Sequence, residues 1–302
     1  MNPWSPLVAA TVGWAASAVL SRAILLRGVN TWTLIPIRMV LALLTLGVVI
    51  SLTGRFIHTN GDAWRRGLVL GTVAMAFPMV LMTLATEDLP VSLGSLLIAL
   101  VPLATIGAAH FLVEGERFRA KALPGLLIAL TGSALLVGIG GGSVEGVGNL
   151  WRGVTLILAG VLMAGIGGAL SRRFALEVPS DQLVLPQFTV NTLVVAVVLP
   201  LFFDFNTATI DGTSWLLLIA LGVLGTTVAF TSFLIGAGLN PASRLALTGY
   251  AVPVVAVALA VTFLGEKLTP AIVGGAILII IGVVLAERST KHVPEPGVAT
   301  AR

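Results

Sequence analysis

The chain has 302 residues, of which 57% are hydrophobic and only 10% are charged, and its mean hydropathy is +1.06. A soluble domain cannot cover its surface with so little charge, so the composition excludes a soluble globular protein. The net charge of +4 and the pI near 10.3 do not indicate nucleic-acid binding, because the basic residues lie mostly in short loops. The absence of cysteine excludes disulfides and thiolate metal sites.

Ten apolar runs follow one another along the chain. They cover residues 4–26, 32–52, 67–86, 90–113, 122–140, 151–171, 183–203, 213–236, 242–264 and 268–286. A helix of about 20 residues crosses the hydrocarbon, and lipid cannot satisfy free backbone groups, so we predict ten transmembrane helices. A β-barrel would alternate apolar and polar residues, which runs such as AILIIIGVVLA do not. The opening MNPWSP lacks the basic region of a cleaved signal peptide, so we expect the first helix to be retained.

The second five predicted helices repeat the first five. The stretch LIALVPLATIGAAHFLVEGERFRA at 97–120 recurs as LTGYAVPVVAVALAVTFLGEKLTP at 247–270, and Leu20-Ser21-Arg22 recurs as Leu170-Ser171-Arg172. Matches at an offset of 150 or 151 residues extend over all five helices. We therefore predict a duplicated five-helix unit at 1–140 and 148–288, followed by a cytoplasmic tail at 289–302.

The loop charges orient the two copies. Because five is odd, the second copy must cross the membrane in the opposite direction. With the N-terminus in the cytoplasm, three loops and the tail place most basic residues on that side: Arg55, Arg65, Arg66, Arg117, Arg119, Lys121, Arg172, Arg173, Arg288, Lys291 and Arg302. The loop between helices 7 and 8, which then lies outside, carries Asp204 and Asp211 without Lys or Arg. The positive-inside rule predicts a plasma-membrane protein with both termini in the cytoplasm and inverted repeats.

These sequences resemble the EamA-repeat form of the drug/metabolite transporter superfamily. AVPVVAVALAVTFLGEKLTP and GGAILIIIGVVLAER carry the resemblance, with counterparts at Pro102–Arg117 and in GLLIALTGSALLVG. It covers essentially the whole chain, whose length and pattern of halves are most like YddG-type amino-acid exporters. The resemblance implies a central cavity between the halves, lined mostly by helices 1, 3, 4, 6, 8 and 9, with helices 5 and 10 at the periphery.

Two aromatic residues are candidates for contact with a substrate. Trp14 and Tyr250, the only tyrosine, lie deep in predicted helices, and their counterparts in the repeat are Ala164 and Ala99. A substrate is not symmetric, so recognition could lie where the repeat breaks its own symmetry. An aromatic ring with a polar group suits a small amphipathic solute, and ordinary helix packing is the alternative.

Other candidates to line the cavity are polar or adaptable side chains deep in the predicted helices. They are Ser17, Met75, Phe77, Met79, Ser95, Met163, Thr227 and Phe230. A hydroxyl could bind an ammonium or carboxylate group, and methionine suits a permissive pocket. The alternatives are backbone hydrogen bonds for the hydroxyls, and core or lipid contacts for the apolar groups.

Two arginines lie within predicted helices, toward their outer ends. Arg22 and Arg38 could bind a substrate carboxylate in an outward-facing vestibule. Alternatively they extend to the headgroups or pair with Glu87 or Asp88. Arg172 repeats Arg22, which favours a structural role for that pair.

Three prolines interrupt predicted helices 3, 4 and 9: Pro78, Pro102 and Pro253. Each removes a backbone hydrogen bond, so each could serve as a hinge or form a static kink. Pro102 and Pro253 are related by the repeat, and an inverted-repeat transporter must close either end with equivalent helices.

The motifs of ATP hydrolysis and of membrane proteases and esterases are absent from the sequence, so we predict a transporter that is not an enzyme and needs no cofactor or metal. The middle third of every predicted helix lacks Asp and Glu, which favours uniport over proton coupling. We predict export of small metabolites, amino acids first among them, by alternating access. The alternatives are export of organic cations, which needs an anionic cavity; phosphate-sugar or nucleotide-sugar exchange, which needs several cavity cations; and a membrane enzyme or non-transporting bundle. The partners predicted are a small-molecule substrate and membrane lipid, without nucleic acid; the oligomeric state is open, with a monomer among the options.

Overall fold

The structure is a computed structural model that describes residues 4–54, 58–114, 120–135, 148–175, 177–208, 210–239 and 242–290. Within these ranges the chain is helical and contains no strand. The main helices are α1 (Trp4–Leu26), α2 (Thr31–Thr53), α3 (Gly61–Asp88), α4 (Val91–Leu112), α5 (Leu123–Leu135), α6 (Leu150–Ala175), α7 (Ser180–Leu193, Val194–Val198 and Leu199–Phe202), α8 (Gly212–Gly222, Val223–Val228 and Ala229–Leu239), α9 (Ala242–Leu264) and α10 (Pro270–Thr290).

Each predicted transmembrane helix has a counterpart among these ten. Seven helices are long and apolar enough to cross a membrane, and three shorter apolar helices lie in α5, α9 and α10. The largest difference is at α3, which begins at Gly61 rather than at residue 67. Asn60 caps that end, because its side chain accepts a hydrogen bond from the Ala63 N–H at 2.8 Å. The first turns of α3 are polar, so the apolar run in the sequence begins only at residue 67.

Contacts between α5 and α10 show that the two halves are inverted. A Cβ atom on Gly125 would lie 2.5 Å from the Gly282 carbonyl oxygen, and one on Gly132 would lie 2.9 Å from the Gly275 carbonyl oxygen. The residue number of the contact increases along α5 as it decreases along α10, so the two helices are antiparallel. Gly125 and Gly275 are repeat counterparts, as are Gly132 and Gly282, so the contact maps onto itself under a pseudo-twofold rotation.

A second pair of contacts obeys the same symmetry. Gly71 of α3 packs against Gln187 and Asn191 of α7, and Gly222 of α8 packs against Arg38 and Leu41 of α2. The residues of the first contact lie 149 to 151 positions from those of the second, close to the offset of the repeat. Each half thus places its third helix on the second helix of the other half, and the halves interlock.

The repeat-related helices α3 and α8 both contain a π-helical segment. These segments are Leu70–Ala76 in α3 and Val223–Val228 in α8. In α3 the segment is followed by Pro78, whose missing N–H removes one backbone hydrogen bond. In α8 no proline follows the segment. The π-helical turn therefore recurs at equivalent positions of the two halves and does not require proline.

The bundle has two ends, which we name by one residue each. The Glu266 end holds Leu26, Thr31, Asp88, Val91 and Leu264; the Arg66 end holds Trp4, Thr53, Gly61, Leu112 and Ala242. At the Glu266 end, charged side chains join the two halves. Arg152 donates hydrogen bonds to Asp88 at 2.9 Å and to Glu87 at 3.0 Å, and Arg27 donates to Asp211 at 2.7 Å.

At each end of the bundle, a hydrogen bond from an arginine lowers the pKa of a carboxylate. The hydrogen bond from Arg27 holds the pKa of the Asp211 carboxyl well below its ordinary value, and bonds from Ser214 add to the effect. At the Arg66 end, a hydrogen bond from Arg66 lowers the pKa of Glu177. The Arg66 guanidinium also lies 5.2 Å from the centroid of the Phe174 ring. Both carboxylates are exposed, so both pairs are screened by solvent and serve mainly to align the helix ends.

Candidate functional site

A cluster of three polar side chains lies between α1, α2 and α8. The Arg38 guanidinium donates from Nε to the Thr226 hydroxyl at 2.9 Å and from Nη2 to the Ser17 hydroxyl at 2.9 Å. Thr226 in turn donates to the Leu221 carbonyl at 3.0 Å. Among the described residues, no carboxylate pairs with Arg38, and Nη1 has no hydrogen-bond acceptor.

The guanidinium lies near the middle of the bundle, deeper than the sequence predicted. The Arg38 backbone is seven residues from the start of α2, or about 10 Å at 1.5 Å per residue. Its two partners lie deeper. Ser17 is 13 residues from one end of α1 and 9 from the other, and Thr226 is 14 and 13 residues from the ends of α8. The long side chain therefore carries the charge from the outer part of α2 to the midplane.

A charge at this depth has an energetic cost that its partners only partly offset. Insertion scales give about 2.5–3.5 kcal/mol for an arginine at the centre of a membrane helix. The two hydroxyls are neutral, so they solvate the guanidinium without cancelling its charge. Arg38 is partly exposed, whereas Ser17 and Thr226 are buried. The cluster leaves a partly exposed cation with unused hydrogen-bonding capacity.

The repeat does not reproduce this cluster. The counterparts of Ser17, Arg38 and Thr226 are Gly167, Phe188 and Met75. Phe188 is fully buried, and its ring lies 5.1 Å from that of Phe230. Both Met75 and Met79 pack against the same apolar core. One contact between the halves thus holds a cation with two hydroxyls, whereas the symmetry-related contact holds Gly167, Phe188 and Met75, so the symmetry is broken in charge as well as in size.

An aromatic pair adjoins the polar cluster. Trp14 is three residues before Ser17 on α1, so the two side chains share a face and are about 4.5 Å apart along the helix axis. The Trp14 ring lies 5.0 Å from the ring of Phe233 on α8, at an interplanar angle of 48°. Helices α1 and α8 supply the two hydroxyls that bind Arg38. They therefore also present an aromatic surface, which begins one turn closer to the Arg66 end at Trp14.

Arg22 has a different environment. Its guanidinium donates to the backbone carbonyls of Thr86 and Glu87, the latter at 3.0 Å, at the C-terminus of α3. A cation suits this position, because the last carbonyls of a helix lack partners within the helix. Arg22 also lines a cleft of about 310 Å³ at the Glu266 end, with Glu87 and Asn30. These contacts favour the structural alternative, in which Arg22 binds α1 to α3.

The surroundings of several predicted candidates can be explained without a bound substrate. The fully buried Thr227 donates to the Ala42 carbonyl at 2.7 Å and so joins α8 to α2. Ser95 is buried and its hydroxyl lies 3.3 Å from the Ser92 carbonyl oxygen. Met163 is partly exposed on α6, and Phe77 is half exposed. Their roles in binding stay predictions, as does that of Tyr250, whose side chain lies outside the described residues.

The repeat-related helices α4 and α9 differ in this structure. Helix α4 is interrupted between Ile98 and Val101, just before Pro102, whereas α9 continues across Pro253. The first segment of α4 is buried at all of its first seven residues, but Ala109 is the only buried residue among the twelve of the second segment. The first segment contacts α9, and Val91 shares a small core with Ala256 and Ala260.

Glu266 secures the buried end of α4. Gly265 ends α9 in the left-handed conformation (φ 68°), which suits glycine and turns the chain back toward α4. The Glu266 carboxylate then accepts hydrogen bonds from the Val91 N–H at 2.7 Å and the Ser92 N–H at 2.9 Å. It supplies the N-terminal cap that Pro90 cannot provide.

The sequence singled out Ser17 and Arg38 separately, and the structure brings them together with Thr226. Thr226 and Phe233 were not among the principal candidates. Comparing the repeat copies position by position could have found Thr226, because methionine occupies its counterpart. Phe233 was found only from its contact with Trp14.

Comparison with known proteins agrees with this architecture. The sequence profile of the EamA-like transporter family matches residues 6–138 and 151–287. A protein of Streptantibioticus cattleyicolor, described as a "probable terminal-alkyne amino-acid exporter", is 30% identical over 224 residues, which span 73% of this chain and 72% of that protein. A solved crystal structure superposes with a TM-score of 0.63 at 21% identity, over 92% of this chain and 96% of the other, and so supports the fold alone.

The family match covers both halves of the chain, and the inverted ten-helix bundle agrees with it. This chain is a multi-pass membrane protein with a small-molecule substrate, and it belongs to the EamA-like transporter family of the drug/metabolite transporter superfamily.

Proposed function

We propose that the protein exports small metabolites, amino acids first among them, across the plasma membrane by alternating access and as a uniporter. The observation that carries the proposal is the inequality of α4 and α9. Two helices related by an inverted repeat should have the same environment if the bundle were symmetric. Here α4 is interrupted between Ile98 and Val101 and is buried before that break but mostly half-buried after it, while α9 is continuous, which is expected of one state of a transporter that opens its two ends in turn.

The amino-acid assignment rests on two further observations. The relative described as an exporter of a terminal-alkyne amino acid is similar to this chain over most of both lengths. The mid-bundle cation of Arg38 also favours a solute with a negative group and disfavours an organic cation. Uniport is supported by the sequence, because the middle of every helix lacks the carboxylate that usually relays protons.

The direction of transport requires an orientation in the membrane. The loop charges favour a cytoplasmic Arg66 end, and in that orientation the proposed state is closed to the outside. The native chain has no cysteine, which allows single-cysteine labelling. We expect a membrane-impermeant maleimide to label Gly212→Cys in intact cells, and Lys121→Cys only after the membrane is opened. The reverse pattern would overturn the orientation while leaving the fold intact.

Transport itself is tested with purified protein in liposomes. Efflux of each labelled amino acid is measured with and without a pH gradient. We expect flux of at least one apolar amino acid down its own gradient, with little effect of pH. No amino-acid flux at all would refute the amino-acid assignment, and flux that requires a proton gradient would refute uniport.

One alternative gains support from the depth of Arg38. A phosphate-sugar or nucleotide-sugar exchanger needs cations in its cavity, and Arg38 supplies one near the midplane. A sugar phosphate and a nucleotide sugar belong in the same flux screen. Exchange of either at a rate above that of every amino acid would favour this alternative.

A further inference from the structure

We propose that Arg38, held by Ser17 and Thr226, binds a single carboxylate of the transported solute, while Trp14 and Phe233 hold its apolar part. This inference deepens the proposed function, on which it rests for the transport assay. It changes the class of solute from any small metabolite to an amphipathic monocarboxylate. It also assigns the carboxylate to Arg38 and not to Arg22.

The hydrogen bonds of Arg38 leave room for a carboxylate. A guanidinium has five N–H donors in a planar fork that matches a carboxylate. Ser17 and Thr226 accept from Nη2 and Nε, on two different helices, and so fix the plane of the fork. Nη1 makes no hydrogen bond within the described part of the chain, and Nη2 has a second N–H. Both atoms can donate to one carboxylate without breaking an existing bond.

The charge of the cluster selects a monoanion. Serine and threonine are neutral, so one bound carboxylate makes the cluster electrically neutral. A phosphate carries about 1.5 to 2 negative charges at pH 7 and would leave an excess at the midplane. Arg22 does not supply the missing charge, because its guanidinium is bound to the carbonyls at the end of α3.

The apolar contacts select the rest of the solute. Trp14 is one helical turn from Ser17, and its ring packs against that of Phe233. Trp14 and Phe233 are both partly exposed, so a solute on Arg38 would meet aromatic surface toward the Arg66 end. The second segment of α4, with its higher exposure, extends toward the same end. A solute with an apolar side chain next to its carboxylate fits this order of groups.

The flux of related solutes with and without a carboxylate tests the site directly. The probes are four labelled compounds that share the branched side chain of leucine: leucine, leucinamide, 3-methylbutylamine, which lacks the carboxyl carbon, and 4-methylpentanoate, which lacks the amine. If another amino acid has the largest flux in the liposome screen, the four probes are built on its skeleton. The native protein is expected to move the two carboxylates and to move the amide and the amine at least about tenfold more slowly.

Variants separate binding from structure. Arg38→Gln should lower carboxylate flux at least about tenfold and leave amide flux unchanged, so that the preference for carboxylate disappears. Arg38→Lys should retain part of the preference, because it keeps the charge but loses the fork. Arg22→Gln is the matched control: it removes the other arginine within a helix in the half of the bundle nearer the Glu266 end, and the ratio of carboxylate to amide flux should not change.

Three results would overturn the inference. The first is a native protein that moves leucinamide as fast as leucine, which leaves amino-acid export intact. The second is an Arg38→Gln variant in which carboxylate and amide flux fall by the same factor, as a structural role predicts. The third is a native protein that moves a labelled alkyl phosphate of the same side chain faster than 4-methylpentanoate. Conversely, Arg38-dependent flux of 4-methylpentanoate without any amino-acid flux would support the carboxylate site and refute the proposed amino-acid substrate.

Discussion

In the proposed transport cycle, closure of the Glu266 end should depend on the contact between Glu266 and α4. Glu266→Gln keeps one acceptor oxygen but removes the second and the negative charge. The carboxylate accepts two N–H bonds at 2.7 and 2.9 Å at a helix N-terminus. A hydrogen bond to a charged group contributes about 1.5–3 kcal/mol, and a favourable charge at a helix end about 0.3–1 kcal/mol. Partial exposure and the remaining acceptor reduce the loss, so we expect the closed state to weaken by about 1–2 kcal/mol, or roughly 5- to 30-fold in population.

A buried reporter measures this population. Val19 is 7% exposed and lies in the small core that α1 and α9 form with Val91 near this end. Val19→Cys in the cysteine-free chain should react slowly with a water-soluble maleimide, at a rate set by how often the end opens. Adding Glu266→Gln should raise that rate by roughly the same 5- to 30-fold. Asp204→Asn is the matched control, because it removes a carboxylate at the same end that makes no hydrogen bond or ion pair with α4 within the described residues. An unchanged rate in the Glu266 variant, or an equal rise in the control, would refute the reasoning.

Three further predictions follow from packing, charge and the aromatic pair. Gly282→Ala should lower the thermal stability by about 1–3 kcal/mol, because its Cβ would lie 2.3 Å from a backbone nitrogen of α5, whereas Gly47→Ala, with open space, should not. The folded-state pKa of Asp211 is depressed, so its contribution to stability is present above the ordinary pKa near 4 and is lost only in stronger acid; Arg27→Gln should move that loss up toward pH 4 in thermal scans. Trp14→Ala should reduce leucine flux in liposomes while the amount of inserted protein stays the same, and undiminished flux would remove the ring from the site.

Much of the fold could be predicted because it depends on local properties. The length of an apolar run decides whether a segment can cross a membrane, and each run can be counted without reference to any other. The charges of the loops decide which way a helix crosses. The start of α3 at Gly61 could not be found in this way, because its first turns are polar and are stabilised by the Asn60 cap.

The candidate site could be predicted only in part. The depth of the Arg38 backbone follows from counting residues, but the position of its charge depends on which way a long side chain points. The two hydroxyls that hold it come from positions 21 and 188 residues away along the chain. Pairing of that kind depends on how three helices pack, and apolar periodicity carries little information about packing in lipid.

By itself, the sequence determined that this protein is a membrane bundle of two inverted, related halves, because hydrophobicity, repetition and loop charge are each recorded residue by residue. Only the tertiary structure decided that Arg38 meets Ser17 and Thr226 at the midplane and that α4 and α9 differ. The sequences of those two helices share their proline and their apolar run, so their separate conformations cannot come from local sequence alone. They depend on contacts between helices, such as the hydrogen bond from the Val91 N–H to Glu266, which a single helix cannot supply.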